Sequence, residues 1–421
     1  MQPQVVVVGG GFGGLEATFL LRHRLGERVG ITLVSPEDAF AYRPGTIYVP
    51  FGADPQALMT PIAPALRRRD VTFVRGHASG LSTERRELRV VGRDGALHRL
   101  RFDFLVIASG AEVHPAEVPG LERHGAMLWG MRDALALRRA FQAVALESAS
   151  RRRREVVLLV PRGNRWPGPI YELALMLDTW LRRRRARRHV GITLVTHEHG
   201  FLHVLGPRMD EMMRRTLERR GITGRARTGV REVTPYAVRL DDGTDLPLDL
   251  LVSFPAQVAA VPFQELPRDP RGFVMTTAGS REVLGAPGVY AVGDAASWPV
   301  KQALVAVEHA GAAVDHIEAT VLGREPERGY RPQTLWLMDQ LDTASFAQVP
   351  LRDDGEPAGE LGATSDALRY RVGTSVLWRV AKRFVGVYVP WRYRQGLPCH
   401  GSTSGSVMNA GLRVMAGTLA R

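Results

Sequence analysis

The chain has 421 residues, 45% of them hydrophobic, and a formal net charge of +13. That length predicts two or three domains with a sizeable core. Apolar runs stay below the ~18–20 residues of a transmembrane helix, and the first strand leaves no room for a signal peptide, so we expect a cytoplasmic protein. The one cysteine, Cys399, excludes an intrachain disulfide.

The positive charge is almost entirely arginine, because Lys301 and Lys382 are the only lysines. No nucleic-acid-binding motif accompanies the arginine clusters at 151–154 and 182–185, which follow helical stretches where cations suit the helix dipole. We therefore predict no nucleic-acid partner, and we predict no metal site.

An α/β unit opens the chain. Residues 4–8 form a strand of nearly continuous valine, which is typical of a parallel sheet buried on both faces. A helix is predicted over 13–24 and a second strand over 30–34. Short β-like segments around 71–75, 86–91 and 97–101 predict an inserted meander.

The turn between the first strand and its helix contains Gly9, Gly11 and Gly14 in G-x-G-x-x-G spacing, with Phe12 and Gly13 inside the motif. The first glycine permits a tight turn, the second lets a pyrophosphate approach the backbone, and the third allows close helix–strand packing. The motif therefore predicts a dinucleotide at the helix N-terminus.

An acidic residue after the second strand binds the adenosine ribose in sites of this kind. Here that stretch reads Ser35-Pro36-Glu37, so we assign the role to Glu37 or to the hydroxyl of Ser35.

A second α/β unit is predicted from a strand at 155–160, a helix over 169–184 and a strand at 191–196. A further buried strand at 288–292 precedes a helix predicted over 301–322. The fold class is therefore α/β with two Rossmann-like three-layer domains. We place the domains at 1–115 with 262–325, and at 116–261; the remainder, 326–421, would contact a membrane or a second protomer.

Two further turns follow buried strands, Ala108-Ser109-Gly110 and Gly293-Asp294. With the N-terminal motif they resemble the pyridine nucleotide–disulfide oxidoreductase superfamily, flavoproteins with two dinucleotide-binding domains. The resemblance implies that FAD binds at these three turns and that Asp294 hydrogen-bonds its ribityl chain.

Within that superfamily the chain is most similar to the sulfide:quinone oxidoreductase group, with type II NADH dehydrogenases as relatives. The similarity rests on the loop 40–49, which contains Arg43 and Pro44, on Gly168-Pro169-Ile170-Tyr171-Glu172, and on the segment 376–391. It implies FAD contacts from Arg43 and Pro44, a quinone acceptor and a small-molecule electron donor.

Three titratable residues are candidate catalytic groups. Lys301 matches a lysine beside the flavin in this group, where its charge would stabilise the anionic reduced flavin. Glu172 opens the second unit's helix and Glu308 lies on the helix after Lys301, so either is a candidate proton carrier to a quinone. The alternatives are a surface lysine and structural carboxylates, such as an acidic residue favoured in a first helical turn.

The chain departs from the group where sulfide oxidation needs two cysteines. By alignment the first cysteine position is Trp166 and the second is Leu335 or Trp336, and none of these side chains is a sulfur nucleophile. We interpret Cys399, far along the chain from every flavin motif, as a bystander thiol. The resulting hypothesis is an enzyme that passes two electrons through FAD to a quinone without a cysteine relay.

Two alternative functions stay open. The turn 161–169 of the second unit lacks G-x-G-x-x-G, and its three prolines remove N–H groups that would bind a pyrophosphate. Arginines replacing some of those contacts would still give a type II NAD(P)H:quinone dehydrogenase with a divergent nucleotide loop. A flavin-binding protein without turnover is the other alternative.

Near the C-terminus, apolar residues recur with helical period from Val376 to Tyr388. Arg379, Lys382 and Arg383 gather opposite them, and Pro390 is expected to end the helix. The pattern predicts an interfacial helix on the inner face of the cell membrane. Docking on the protein's own domain or at a homodimer interface would give the same pattern.

Overall fold

The computed structural model describes residues 2–147, 152–326, 332–356 and 370–399. The first elements are β1 (Gln4–Val8), α1 (Phe12–Leu25), β2 (Gly30–Ser35), β3 (Ala39–Ala41), a 3₁₀ helix (Arg43–Phe51), β4 (Met59–Pro61), α2 (Ala63–Arg68), β5 (Thr72–Ser82), β6 (Glu87–Gly92), β7 (Leu97–Arg101) and β8 (Phe104–Ile107). The middle elements are β9 (Ala111–Val113), α3 (Leu121–His124), β10 (Ala126–Met127), α4 (Met131–Glu147), β11 (Arg154–Val160), α5 (Gly168–Arg183), β12 (Val190–Thr196), α6 (Pro207–Arg220), β13 (Thr223–Arg225), β14 (Val230–Val233), β15 (Ala237–Leu240), β16 (Asp245–Pro247), β17 (Leu250–Ser253) and β18 (Gln257–Ala259). The last elements are β19 (Val289–Ala291), α7 (Ala303–Leu322), β20 (Gln333–Asp339), β21 (Ala344–Pro350), β22 (Arg371–Ser375) and α8 (Val376–Arg394).

The first domain is built on a seven-stranded sheet with the order β19-β8-β1-β2-β5-β6-β7. Its strands β19, β8, β1, β2 and the start of β5 run parallel, whereas β5, β6 and β7 form the antiparallel meander. Val5 and Val7 of β1 face a core shared with α1 and α7, while Val6 and Val8 face a core that includes the meander. Burial on both faces explains why this strand is nearly continuous valine.

The second domain contains a five-stranded parallel sheet with the order β10-β17-β11-β12-β13. Helix α5 is buried along most of its length, because its residues join the largest core cluster of the protein. The short antiparallel pair of β9 and β18 lies where the chain passes between the two domains.

An antiparallel sheet of β20, β21 and β22 follows, and α8 packs against it. The buried ring of Trp378 on α8 stacks on Phe346 of β21, with the ring centroids 4.2 Å apart. Residues 327–331, 357–369 and 400–421 of the predicted C-terminal region lie outside the described residues.

Two expected helix limits are wrong. Helix α8 continues through Pro390 to Arg394, because Val389 and Tyr393 are buried and Arg392 donates two hydrogen bonds to the Pro398 carbonyl. This packing offsets the hydrogen bond that proline removes. Helix α7 begins at Ala303, so Lys301 precedes the helix.

The predicted fold class is confirmed: an α/β protein with two Rossmann-like domains, an inserted meander and a C-terminal amphipathic helix. In the part of the chain that the structure describes, no helix is both long enough and apolar enough to cross a membrane.

Candidate active site

Three turns meet at the carboxyl edge of the seven-stranded sheet. β1, β8 and β19 are parallel neighbours, so the turns that follow them, at residues 9–12, 108–110 and 293–294, lie side by side. A Cβ atom on Gly9 would lie 2.2 Å from the carbonyl oxygen of Ala108, and one on Gly13 would lie 3.1 Å from Val292. The fold thus assembles one cradle from three distant parts of the chain.

The glycines of the first turn have different roles. Gly9 has φ +113°, which favours glycine, and a Cβ on Gly14 would lie 1.8 Å from the Gly9 carbonyl oxygen. Gly14 therefore lets α1 approach β1. A Cβ on Gly11 would meet no atom within 4 Å. Gly11 thus borders open space at the start of α1, where a pyrophosphate would bind.

The residues assigned to the ribose lie at the end of β2. Ser35 is buried and its hydroxyl accepts the backbone N–H of Glu37 at 3.3 Å, while Glu37 is exposed. The side chain of Phe12 has a packing role. Its ring lies against Phe40, with the centroids 4.9 Å apart, and also contacts Tyr393. Its backbone still forms the first residue of α1.

Lys301 lies against the third turn. Its ammonium donates to the backbone carbonyls of Asp294 at 3.0 Å and Ala296 at 2.6 Å, and it lies 3.5 Å from the centre of the Phe273 ring. Burial lowers the pKa of Lys301 to about 8. The lysine is therefore a largely buried, titratable cation.

The carboxylate of Asp294 belongs to the same third turn. Burial raises the pKa of Asp294, and the charges of Lys301 and Arg43 oppose that rise. Arg43 is exposed with its guanidinium over the ring of Trp129, and Pro44 follows it in the first turn of the 3₁₀ helix.

These residues fit a flavin dinucleotide. Gly11 leaves room for phosphates beside α1, and among the described residues no side chain donates a hydrogen bond to the Asp294 carboxylate. A ribityl hydroxyl is a suitable donor to that carboxylate. The three turns would hold the dinucleotide, with Glu37 near its ribose.

A second polar cluster lies where α5, β20 and α8 meet. Glu172, the buried fifth residue of α5, lies beyond the first helical turn that the sequence suggested for it. It forms an ion pair with Lys382 of α8 and accepts the backbone N–H of Asp339 at 2.8 Å. The Asp339 carboxylate accepts hydrogen bonds from Arg379 at 2.8 Å and from the Tyr48 hydroxyl at 3.0 Å. Burial raises the pKa of Glu172, with Lys382 opposing the rise.

This cluster corrects the expected cationic face of α8. Arg379 and Lys382 point into the protein, where they pair with Asp339 and Glu172, and only Arg383 of the three is exposed. These two cations face inward and not towards solvent, because Glu172 and Asp339 are buried carboxylates that need charged partners.

Comparison with known proteins identifies the family. The model of the pyridine nucleotide-disulphide oxidoreductase family matches residues 3–166 and 167–313. The chain belongs to this family. It is an FAD-dependent oxidoreductase.

Two sequence matches and one structural match give more detail. The sulfide-quinone reductase of Aquifex aeolicus (strain VF5) is 29% identical over 200 residues, which are 47% of this chain and 44% of that protein, so the match spans less than half of the relative. A demethylphylloquinone reductase of Synechocystis is 24% identical over 306 residues, 70% of this chain and 72% of that protein. The crystal structure of the Aquifex aeolicus sulfide:quinone oxidoreductase has a TM-score of 0.85 and 21% identity, and the alignment covers 98% of this chain and 96% of that chain.

The positions expected to align with the cysteines of the sulfide:quinone oxidoreductase group are Trp166 and either Leu335 or Trp336. Trp166 and Trp336 are both buried and contact each other, with ring centroids 5.8 Å apart. Cys399 is buried against α1, where its backbone N–H donates to Glu16 at 2.8 Å. Burial raises the pKa of the Cys399 thiol well above its ordinary value, which disfavours the thiolate.

The remaining catalytic candidate, Glu308, lies in the second turn of α7 and is partly buried. The neighbouring His309 is fully buried and packs its ring on Trp298. Sequence reasoning missed Tyr48, Asp339 and the inward direction of Lys382. One signal was present, because Lys301 and Lys382 are the only lysines and both are held at buried acceptors.

Proposed function

We propose that this FAD enzyme passes two electrons from a small-molecule donor to a quinone without a cysteine relay, with the flavin bound in the domain of residues 1–115 and 262–325. FAD, when bound, takes up the electron pair and releases it to the acceptor. The names of two relatives, a sulfide-quinone reductase and a demethylphylloquinone reductase, support a quinone acceptor. The buried, protonated thiol of Cys399 supports a route without sulfur.

The observation that carries the proposal is the buried pair of Glu172 and Lys382 on α5 and α8. Reduction of a quinone to a hydroquinone consumes two electrons and two protons. Burial raises the pKa of Glu172, which brings proton uptake and release by this carboxyl group closer to the operating pH, and Lys382 fixes the direction of the group. Glu172 is therefore our candidate for delivering a proton to the reduced quinone.

The outer face of α8 supports a membrane as the source of the quinone. Six large apolar side chains on one stripe are 50–72% exposed: Val376, Leu377, Val380, Phe384, Val387 and Trp391. The opposite side of the helix is docked on the protein through Trp378 and Tyr393. A helix with this division suits the interface of a bilayer.

Exposed arginines border this stripe. Arg383 and Arg394 belong to α8, and Arg67 and Arg68 to α2, where Arg68 donates a hydrogen bond to the Arg394 carbonyl. Cations around an apolar stripe favour an anionic headgroup layer such as the inner face of a cell membrane. We therefore place the enzyme there as a peripheral protein, with a homodimer interface as the competing use of the stripe.

Anaerobic reoxidation of the flavin tests the acceptor. The holoprotein is photoreduced and mixed with a short-chain quinone while the flavin absorbance band is followed. We expect rapid reoxidation, and about 100-fold slower reoxidation in E172Q, the order of magnitude of a general acid. E308Q is the matched control, changed at the other candidate carboxyl.

A photoreduced flavin that quinone does not reoxidise would reject the acceptor. Slow reoxidation in E308Q with normal reoxidation in E172Q would instead move the proton carrier to α7.

A further inference from the structure

The two α/β units share one plan, which allows their turns to be compared. In the first unit, β1 and β2 are parallel neighbours joined through α1; in the second, β11 and β12 are joined through α5 in the same way. Both helices begin at the carboxyl edge of their sheet. A dinucleotide in either unit would place its phosphates at that helix N-terminus.

The two helix N-termini differ in access. A Cβ on Gly11, just before α1, would meet nothing within 4 Å. A Cβ on Gly168, the first residue of α5, would lie 2.7 Å from the indole of Trp336. The start of α1 is therefore open, and the start of α5 is covered by a tryptophan from β20.

Trp166 completes this cover. Its ring contacts Trp336, and its backbone N–H donates to the Asn164 side chain at 2.8 Å. Asn164 is buried and donates in turn to the Phe254 carbonyl at 2.6 Å. These contacts hold the loop before α5 in place, with the two indoles next to the start of that helix.

The acidic residues after the second strands differ as well. Glu37 and Glu198 each follow a strand that ends in a hydroxyl residue, and each donates its N–H to that hydroxyl, Ser35 at 3.3 Å and Thr196 at 3.2 Å. Glu37 is exposed. Glu198 is partly buried, and one oxygen of its carboxyl group accepts the Tyr171 hydroxyl at 2.5 Å and the Thr196 hydroxyl at 2.8 Å, so the protein holds this carboxyl group in place.

The space beside the loop is small. A cavity of about 210 Å³ is lined there by Arg162, Gly163 and Arg271, below the ~300 Å³ at which small-molecule sites usually begin. Both arginines form ion pairs, Arg162 with Asp241 at 2.8 Å and Arg271 with Glu117 at 2.9 Å. Their charge is already neutralised by protein carboxylates.

We propose that Trp166 and Trp336 are specificity-determining residues that close the second α/β unit to dinucleotides, so that the electron donor is not NAD(P)H. The inference rests on the proposed function, because it defines the donor of that reaction. It assigns donor selection by exclusion to the two indole side chains.

Titration with NADH under anaerobic conditions tests the proposal in the holoprotein, with binding and flavin absorbance measured together. Wild type is expected to show no saturable binding and no bleaching. The double variant W166A/W336A is expected to bind NADH at least about tenfold more tightly, the gain that an opened helix N-terminus supplies. The matched control is W180A. It removes a buried tryptophan of α5 that lies about 18 Å from the start of that helix by helical rise.

Bleaching or saturable binding of wild type by NADH would overturn the proposal. So would a double variant that keeps its FAD and melts like W180A yet binds NADH no better than wild type. Reoxidation of the photoreduced samples by quinone is measured in parallel. Failure there rejects the proposed function, whereas NADH bleaching with normal quinone reoxidation rejects only the tryptophan proposal.

Discussion

At the scale of single residues, the two lysines lie at the two polar clusters of the candidate active site. In a chain whose other basic side chains are arginines, Lys301 is held by carbonyls at the third turn and Lys382 by a carboxylate at α5. An ammonium is a compact charge whose pKa responds to burial, which a guanidinium does not offer. This explains why lysine is present at these two buried positions.

The pair of Glu172 and Lys382 gives a prediction about stability. Their side chains are 5% and 11% exposed, so removing one partner leaves a buried charge without its counterion. We expect E172Q to lower the free energy of unfolding by about 3 kcal/mol. The double variant E172Q/K382M is expected to lose much less than the sum of the single variants, as measured by chemical denaturation; strictly additive losses would mean that the pair is not coupled.

Glu198 gives a pH prediction. Burial raises the pKa of Glu198 from 4.5 to about 7, so the folded protein binds this proton more tightly than the unfolded chain does. The associated stabilisation is fully present below pH 4.5 and is lost as the pH rises through 7. The melting temperature of wild type relative to E198Q should therefore fall between pH 4.5 and 7. A constant difference across that range would contradict the raised pKa.

At the scale of elements, the strands and helices of the first unit follow directly from local sequence. A nearly all-valine strand, three turn residues and a helix starting at Phe12 leave little choice of structure. The last segment behaves differently. Local rules end α8 at Pro390, whereas packing of Val389 and Tyr393 carries it to Arg394.

The glycines at the first turn separate folding from cofactor binding. Gly11 has φ −87° and open space around its Cβ position, so G11A should leave the melting temperature of the apoprotein nearly unchanged while weakening FAD binding at least about tenfold. G14A places a methyl group 1.8 Å from the Gly9 carbonyl and should destabilise the apoprotein by about 3 kcal/mol. Flavin content and apoprotein melting curves measure both effects. Equal melting of the two variants would argue against this division of roles.

At the scale of the whole molecule, α8 connects the exposed apolar stripe to the candidate active site. Its exposed stripe contains Phe384 and Val387, and its buried side supplies Lys382 to Glu172. Deleting the helix would remove the exposed stripe, the partner of Glu172 and part of the core together. Point changes on the exposed side are therefore the sharper probe.

We expect F384E/V387E to abolish sedimentation with vesicles containing anionic lipid while leaving the melting temperature unchanged. Both side chains are more than half exposed, so their replacement costs little stability. The neighbouring exposed change R383Q is the control for charge alone and should weaken vesicle binding only partly. Vesicle binding that survives F384E/V387E, or a dimer in wild type that the variant disrupts, would assign the stripe to another partner.

The sequence by itself determined the α/β class, the glycine motif and the order of the turns, because strand burial and turn geometry depend on residues that are neighbours in the chain. Only the tertiary structure decided which carboxylate receives Lys382, that Trp336 covers Gly168, and that two cations of α8 face inward. Those contacts join β20 and α8 to a helix that begins far earlier in the chain. Their energies come from desolvation and pairing in space, and no local pattern encodes either.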